Sequence, residues 1–348
     1  MIRDLLPRLL AGETLTRGEA AAAVRGMVRG ESEDGLVASF LTLLAQRGET
    51  EAELWGGAEA LRAEAVPFPL PAGLAGPLFD TCGTGGDGRS TFNVSTTVAF
   101  VVAGAGVRVA KHGNRSVSSA CGSADVLESL GAHIDLGPEG AAAVLAETGF
   151  TFLYARRFHP AMRRVAGVRQ SLGFRTLFNW LGPLSNPARA THQLVGVPEA
   201  SRVEPVARVL GGLGAVRALV VHGAGGLDEL ALAPGNIAAE TGRSDNGAPM
   251  AVPRSIRHDA LGLAEAPPEA LRGGDADRNA ALLREVLAGE PGPRRDAVLL
   301  NAAAALWIAG AAPTLEEAGA RAVQAIDRGD ARSVLDRYVE ISKRVGSE

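Results

Sequence analysis

The stretch DTCGTGGDGRSTFNVST, residues 80–96, decides how the rest of the chain is read, together with KHGNRSVSS at 111–119. Four of the six residues from Gly83 to Gly88 are glycine, so the turn carries few side chains and its backbone N–H groups can close on an anion. The hydroxyls and Asn93 that follow supply further donors and possible metal contacts at a presumed helix start. Lys111 is one of only two lysines among 35 basic residues; a compact ammonium kept in an arginine-using chain suits a phosphate. These residues predict a phosphorylated substrate.

On either side of this run the pattern is strand, turn, helix. Short β-prone runs at Leu78–Thr81, Val107–Ala110, His133–Leu136, Phe152–Tyr154, Gln193–Val197 and Ala218–Val221 alternate with helix-compatible segments, which predicts an α/β fold with a sheet covered by helices. Residues 1–66 read as a wholly helical unit. Thr16-x-x-Glu19 and Thr50-x-x-Glu53 are capping-box patterns, and Leu36, Val37, Phe40, Leu41 and Leu44 form one helical stripe. VPFPLPAGLAGP, residues 66–77, places four prolines and two glycines in twelve positions, which ends helices and suits a hinge. The Arg-rich segment at 157–185 interrupts the alternation and is expected to leave the sheet and pack on the N-terminal helices. The expected domains are therefore a small discontinuous helical one, 1–66 with about 157–185, and an α/β one, 73–156 with 186–348. Thr314-x-x-Glu317 opens a late helix with Leu315, Ala318, Ala322, Val323 and Ile326 on one face.

Composition narrows the function classes. At 348 residues, 46% hydrophobic and 21% charged, the chain is long enough for two folded domains. A net charge of −4 gives no overall attraction to nucleic acid or an anionic membrane, so any anion site is local. The charged and proline-broken N-terminus predicts no export, and Val98–Val107 and Ala302–Ala312 are too short for a bilayer span and read as buried helices. Two cysteines, Cys82 and Cys121, cannot form a disulfide framework and fit a reducing cytoplasm.

The glycine run matches two common fingerprints poorly. Gly83-x-Gly85-x-x-Gly88 fits a dinucleotide loop, but Lys111 and His112 stand where the ribose-binding carboxylate belongs. Gly83 to Ser90 resembles a P-loop with Arg89 in place of its lysine. Asp87 would repel a phosphate approached directly and fits sugar hydroxyls or a metal-bound water. Lys111, His112, Asn114 and Ser116–Ser119 are expected to project from the carboxyl end of the strand at Val107–Ala110, where open α/β sheets bind ligands. Asp228 and Glu229, in a Gly-rich turn after another strand, read as a magnesium pair, because hard cations take carboxylate oxygens together with substrate phosphates. Of Arg156, Arg157, Arg163, Arg164, Arg169 and Arg175, one or two would clamp a substrate carboxylate, and charge alone does not choose among them.

DTCGTGGDGRSTFNVST, KHGNRSVSSACGSADVLESLG, HPAMRRVAGVRQSLGFRTLFNWLGPLSNPA and GLDEL, in this order and spacing, resemble the anthranilate phosphoribosyltransferase family from end to end. The resemblance implies a small discontinuous helical domain hinged to a larger domain with a mixed sheet flanked by helices. It also implies a cytoplasmic homodimer that moves the ribose phosphate of phosphoribosyl pyrophosphate onto anthranilate with Mg2+, in tryptophan biosynthesis. It would assign phosphoribosyl pyrophosphate to Gly83, Gly86, Asp87, Thr91, Asn93, Val94, Ser95, Thr96, Lys111, His112, Gly113, Asn114, Arg115, Ser116, Val117, Ser118, Ser119 and Ser123. Gly83, Asn114 and Arg169 would contact anthranilate, and Ser95, Asp228 and Glu229 would serve the metal. The chain departs from the family pattern at Ala166-Gly167, where a proline is expected, and at Ala224, where an acidic or polar residue is common. Two other readings remain at this stage: a pyrimidine nucleoside phosphorylase, which shares the fold, and a non-catalytic nucleic-acid-binding paralogue.

Overall fold

The chain opens with four helices: α1 (Ile2–Leu10), α2 (Arg17–Arg29), α3 (Asp34–Arg47) and α4 (Glu51–Glu64). The computed structural model describes all residues except 72, 74, 75, 117–119 and 348. Local chemistry sets two of the helix starts. Thr16 and Thr50 each accept from the backbone N–H of the glutamate three residues on, and each glutamate reaches back to its cap, so orphan donors are satisfied in both directions. Thr314 accepts from the N–H of Glu317 in the same way.

The remainder runs β1 (Leu78–Asp80), α5 (Val94–Gly104), β2 (Arg108–Gly113), α6 (Ser123–Ser129), α7 (Pro138–Thr148), β3 (Phe150–Tyr154), α8 (Ala155–Phe158), α9 (Arg163–Leu172), α10 (Leu177–Leu181), β4 (His192–Gly196) and α11 (Val203–Gly212). It continues with β5 (Arg217–His222), β6 (Ile237–Arg243), β7 (Pro249–Arg254), α12 (Ala276–Leu287), α13 (Pro293–Ile308), α14 (Leu315–Asp327) and α15 (Asp330–Gly346). The seven strands form one sheet in the order β3-β2-β1-β4-β5-β6-β7. The first five are parallel, and β6 and β7 add antiparallel at one edge, so the sheet is mixed. The chain builds outward from β1 through β2 to β3, then returns to β1's other side with β4. That reversal opens a crevice at the carboxyl ends of β1 and β4, the usual ligand site of such sheets.

Each sheet face has its own core, and side-chain alternation along β5 shows it. Leu219 and Val221 join the cluster that includes α5, α13, α14 and α15, while Ala218 and Val220 join the one that includes α11 and α4. The apolar stretches read as buried helices are α5 and α13. Within α5, Val98, Phe100, Val101 and Val102 are fully buried, each contributing ~1.5–3 kcal/mol on leaving water. In the second core Val165, Val168, Leu177, Phe178 and Leu181 of the inserted segment pack with Phe40, Leu41 and Leu44 of α3. The ring of Trp55 fills the space beside Gly212 on α11, where a Cβ would come within 2.0 Å of it. No helix among the described residues is long and apolar enough to cross a membrane.

Two sequence expectations are corrected, and one hairpin is added. His133–Leu136 is not a strand but irregular chain leading into α7. The β6–β7 hairpin was not anticipated, although Asp245-Asn246-Gly247 is a turn signal and Gly247 takes a positive φ of 81° there. Finally, β2 does not stop at Ala110 but continues to Gly113, with Lys111, His112 and Gly113 paired to Phe152, Leu153 and Tyr154. Lys111 and His112 thus lie within the sheet rather than projecting from its end, which requires a buried partner for the ammonium.

Candidate active site

The glycine loop leaves β1 at Asp80 and returns at Asn93, the N-cap of α5. Gly85, Gly86 and Gly88 take φ of 65°, 82° and 69°, values that L side chains resist, so the glycines are conformational requirements. The loop is fastened to β4, with the Thr84 N–H donating to the Gly196 carbonyl at 3.0 Å. Inside the loop, Asp87 Oδ1 accepts the Arg89 N–H at 3.0 Å. Asp87 Oδ2 is buried and accepts from no N–H group among the described residues.

Beneath the loop lies the partner that a buried lysine requires. Lys111, 2% exposed, donates to Thr81 Oγ1 at 3.1 Å, the Thr81 carbonyl at 3.3 Å and Ser95 Oγ at 3.2 Å. Its charge acts on Asp80, whose carboxylate also accepts from the Cys82 and His112 N–H groups and from Asn186 Nδ2 at 2.7 Å. Burial still outweighs these contacts and pushes the Asp80 carboxyl up to about 6. Lys111 therefore stands under the loop and aims the Ser95 hydroxyl, rather than reaching out as a flexible cation.

Asp228 and Glu229 arrive on the turn after β5. Two glycines let them sit over the strand ends: a Cβ on Gly196 would lie 1.5 Å from the Asp228 carbonyl oxygen, and one on Gly223 2.0 Å from that of Glu229. Both carboxylates are half-buried. Burial, then repulsion from the neighbouring Asp87, pushes Asp228 up to about 7. Burial and the charge of Asp228 drive Glu229 well above the usual carboxylate range, against the opposing pull of Lys111. Asp87, Asp228, Glu229, Ser95 and Gly83 thus meet at the carboxyl ends of the central strands, with more carboxyl groups than nearby cations balance, so that Asp228 and Glu229 are pushed toward their protonated forms. Among the described residues no three His, Cys, Asp or Glu side chains are grouped closely enough to hold a metal by themselves. That donor set fits Mg2+, which keeps waters and takes one or two carboxylates together with substrate phosphate oxygens.

The remaining sequence-predicted residues divide by accessibility. Val94 and Thr96 are buried, leaving their backbone as the part a ligand can meet. Thr91 bridges to Arg272 in an isolated antiparallel pair. Asn93 is tied to the Cys121 carbonyl at 3.3 Å and to Asn279 Nδ2 at 3.0 Å. Gly113 packs its backbone against Ser123 and Phe152, and Asn114 is exposed. Arg115 pairs with Asp125 and Glu128, and Asp125 also accepts the N–H groups of Ser116 and Gly122, folding this loop over the start of α6. Asp125, Asn279, Gly196 and Gly223 are the supporting residues that sequence reasoning missed; Asn279 acts on a partner remote in sequence, the two glycines act through backbone proximity, and Asp125 acts locally on the three to ten residues before it. Val117, Ser118 and Ser119 lie outside the described residues. His112 and His159 face each other with ring centroids 5.1 Å apart, and burial pushes them down to about 3 and about 4, so both are neutral near pH 7. Cys82 and Cys121 are free thiols.

Arg169 stands on α9, on the helical side. Its half-buried guanidinium lies over the Phe178 ring at 5.6 Å, has no carboxylate partner among the described residues, and is lowered by burial. Ala166-Gly167 lies within the continuous helix that carries it, and Ala224 donates its N–H to Asn236 Oδ1, so neither departure breaks the local structure.

Residues 3–65 match the helical bundle domain of a glycosyl transferase family, and residues 75–332 match that family's a/b domain. The anthranilate phosphoribosyltransferase of Symbiobacterium thermophilum is 48% identical over 100% of this chain and 99% of its own, and that of Thermomicrobium roseum 50% identical over 98% and 97%. The chain belongs to the anthranilate phosphoribosyltransferase family. The crystal structure of the family member from Thermus thermophilus superposes with a TM-score of 0.86 at 43% identity, covering 98% of this chain and 99% of that one. The family's joined helical and mixed-sheet architecture is the one described above.

Proposed function

We propose that the chain transfers the phosphoribosyl group of phosphoribosyl pyrophosphate to the amine of anthranilate, releasing pyrophosphate, with Mg2+ as cofactor. The observation that carries this reading is the under-neutralised group Asp87, Asp228 and Glu229 set against the glycine loop and the Lys111–Ser95 pair. A carboxylate cluster beside an anion-binding loop is a contradiction unless the anion brings a divalent cation.

Asp228, Glu229 and Ser95 would hold the ion, which supplies charge neutralisation to the departing pyrophosphate. The loop N–H groups and the start of α5 orient the phosphates, while Lys111 holds Ser95 and adds fixed positive charge below them. Arg169, desolvated and without an acidic partner among the described residues, suits the anthranilate carboxylate, and Asn114 and Gly83 its surroundings. The anthranilate amine is neutral near pH 7, so orientation matters more than a strong base. The buried neutral histidines supply no positive charge. Gly86, Thr91, His112, Gly113, Arg115, Ser116 and Ser123 complete the proposed donor site.

Two chain crossings lie side by side between the helical and sheet regions: the Val66 N–H donates to the Phe158 carbonyl at 2.8 Å, and Phe68 meets Phe158 at 6.3 Å between ring centroids. This supports dividing the molecule into residues 1–66 with about 157–185, and 73–156 with 186–348, hinged there. Closure would align the substrates and exclude water. A cytoplasmic homodimer through the helical part completes the reading; Leu10, an apolar side chain 72% exposed on α1, is a surface a second copy would cover. Sedimentation as a monomer at micromolar concentration would remove that element.

The decisive assay is loss of anthranilate fluorescence on adding phosphoribosyl pyrophosphate and Mg2+. Consumption that stops with a chelator is expected; no consumption with pure substrates refutes the proposal.

A further inference from the structure

Arg175 occupies a position the transfer chemistry has not used. It follows Gly173, which ends α9 with a left-handed φ of 67°, and precedes Thr176, whose N–H is held by Asn179 Oδ1 at 3.0 Å to begin α10. Its backbone is thus fixed from both sides. Its guanidinium lies 4.7 Å from the centroid of the buried Trp180 ring, and that of Arg202 lies 4.8 Å from the same ring. Arg202 is itself anchored on Glu49, donating to its carbonyl at 2.6 Å and to Oε2 at 2.9 Å. The stack therefore ties the turn before α4, the inserted segment and the entry to α11 to one another.

From that stack Arg175 Nη1 reaches the glycine loop and donates to the Gly85 carbonyl at 2.7 Å. The approach is tight: a Cβ on Gly86 would lie 1.8 Å from Nη1. No carboxylate pairs with the guanidinium among the described residues; Glu199, Asp228 and Glu49 act on it from further away. Nε and Nη2 are buried without hydrogen-bond partners among the described residues. A buried guanidinium that forgoes an ion pair and most of its hydrogen bonds, yet keeps one bond to a loop carbonyl, is held for position.

We propose that Arg175 is the positioning residue that latches the glycine loop to the helical side of the molecule and so couples the placement of the helical segment to the geometry of the phosphate site. The latch is a contact within the chain itself; its effect on substrate rests on the transfer reading above. Loss of the bond leaves Gly85–Gly88, with three positive-φ glycines, free to wander, so the cost should fall on binding of the sugar pyrophosphate rather than on anthranilate.

The test uses full-length Arg175→Met and Arg175→Lys. Hydrogen exchange of the amides at 82–90, without any ligand, should quicken by about tenfold in Arg175→Met while β1, α5 and α10 keep wild-type rates. Arg175→Lys, which retains a donor but not the planar stack, should fall between. In turnover, KM for phosphoribosyl pyrophosphate should rise by about tenfold in Arg175→Met, with KM for anthranilate within about twofold of wild type. Unchanged loop exchange in Arg175→Met overturns the proposal, as does exchange rising equally across 155–185, which would make the residue a packing element only. The exchange measurement decides the latch even if the wild type fails to turn over, an outcome that would sink the transfer reading alone.

Discussion

Asp228→Asn removes one charge from a site that carries too much of it. In the ligand-free protein the Asp228 carboxyl is raised from 3.8 to about 7 by burial and by Asp87. A folded value above the unfolded one means that the stability this group contributes is whole at low pH and is lost as pH climbs through the folded value. Three units correspond to roughly 4 kcal/mol at full ionisation. By about pH 5 the unfolded aspartate has ionised and the smaller part of this has gone; the larger part is lost between about pH 5 and about pH 8. The asparagine escapes this loss, and it also relieves Glu229, whose carboxyl Asp228 pushes upward. Urea denaturation of both proteins without metal should therefore show the variant gaining on the wild type by ~2–3 kcal/mol between those two pH values. With Mg2+ and phosphoribosyl pyrophosphate the order should invert, because only the wild type offers the full ligand set, and transfer should fall by about a hundredfold in the variant. A stability gap that is the same at both pH values, or that shrinks as pH rises, refutes the argument that this site stores repulsion for a cation.

Other changes separate the two substrates and test the scaffold. Arg169→Ala should raise KM for anthranilate by about ten- to a hundredfold and leave that of the phosphoribosyl donor nearly unchanged in steady-state kinetics, the loss of one charge-assisted contact. Lys111→Ala should do the reverse; removing the charge that lowers Asp80 should also raise that carboxyl further above about 6, so the variant's stability in urea should decline more steeply than the wild type's as pH rises from about 5 to 8. Gly196→Ala places a methyl 1.5 Å from the Asp228 carbonyl, so the Asp228–Glu229 turn must move; Mg2+ should no longer raise the melting temperature in the presence of phosphoribosyl pyrophosphate, while circular dichroism stays that of a folded protein.

Features governed by neighbours within a few residues are legible in the amino-acid sequence alone. The glycine loop declares itself because positive φ at Gly85, Gly86 and Gly88 is a demand on single residues, and the helix starts at Thr16 and Thr50 because a capping box spans four positions. Helical stripes and apolar runs predict α3, α5 and α13 for the same reason: their periodicity is written in consecutive residues. Family motifs add candidate roles to those residues, and the Asp228–Glu229 pair is visible as two adjacent carboxylates in a turn.

The tertiary structure decided what depends on approach between distant segments. Lys111 reads as a residue beyond the end of a strand because a buried ammonium is costly; it becomes tolerable inside β2 only with Thr81, Ser95 and Asp80 around it. Nothing in sequence marks Gly196 as the clearance that seats Asp228, since the obstacle to a Cβ there is backbone on another segment, and Gly223 is needed only because its own turn folds the Glu229 carbonyl back onto it. Asn279 fastens Asn93 from a helix outside the glycine motif, and Arg175 touches Gly85 across ninety residues of chain. The sequence determined which groups are present and how each turn bends. Which charges face one another, and which of them remain uncompensated, was decided by the sheet order that brings β1, β2, β4 and β5 to a common end.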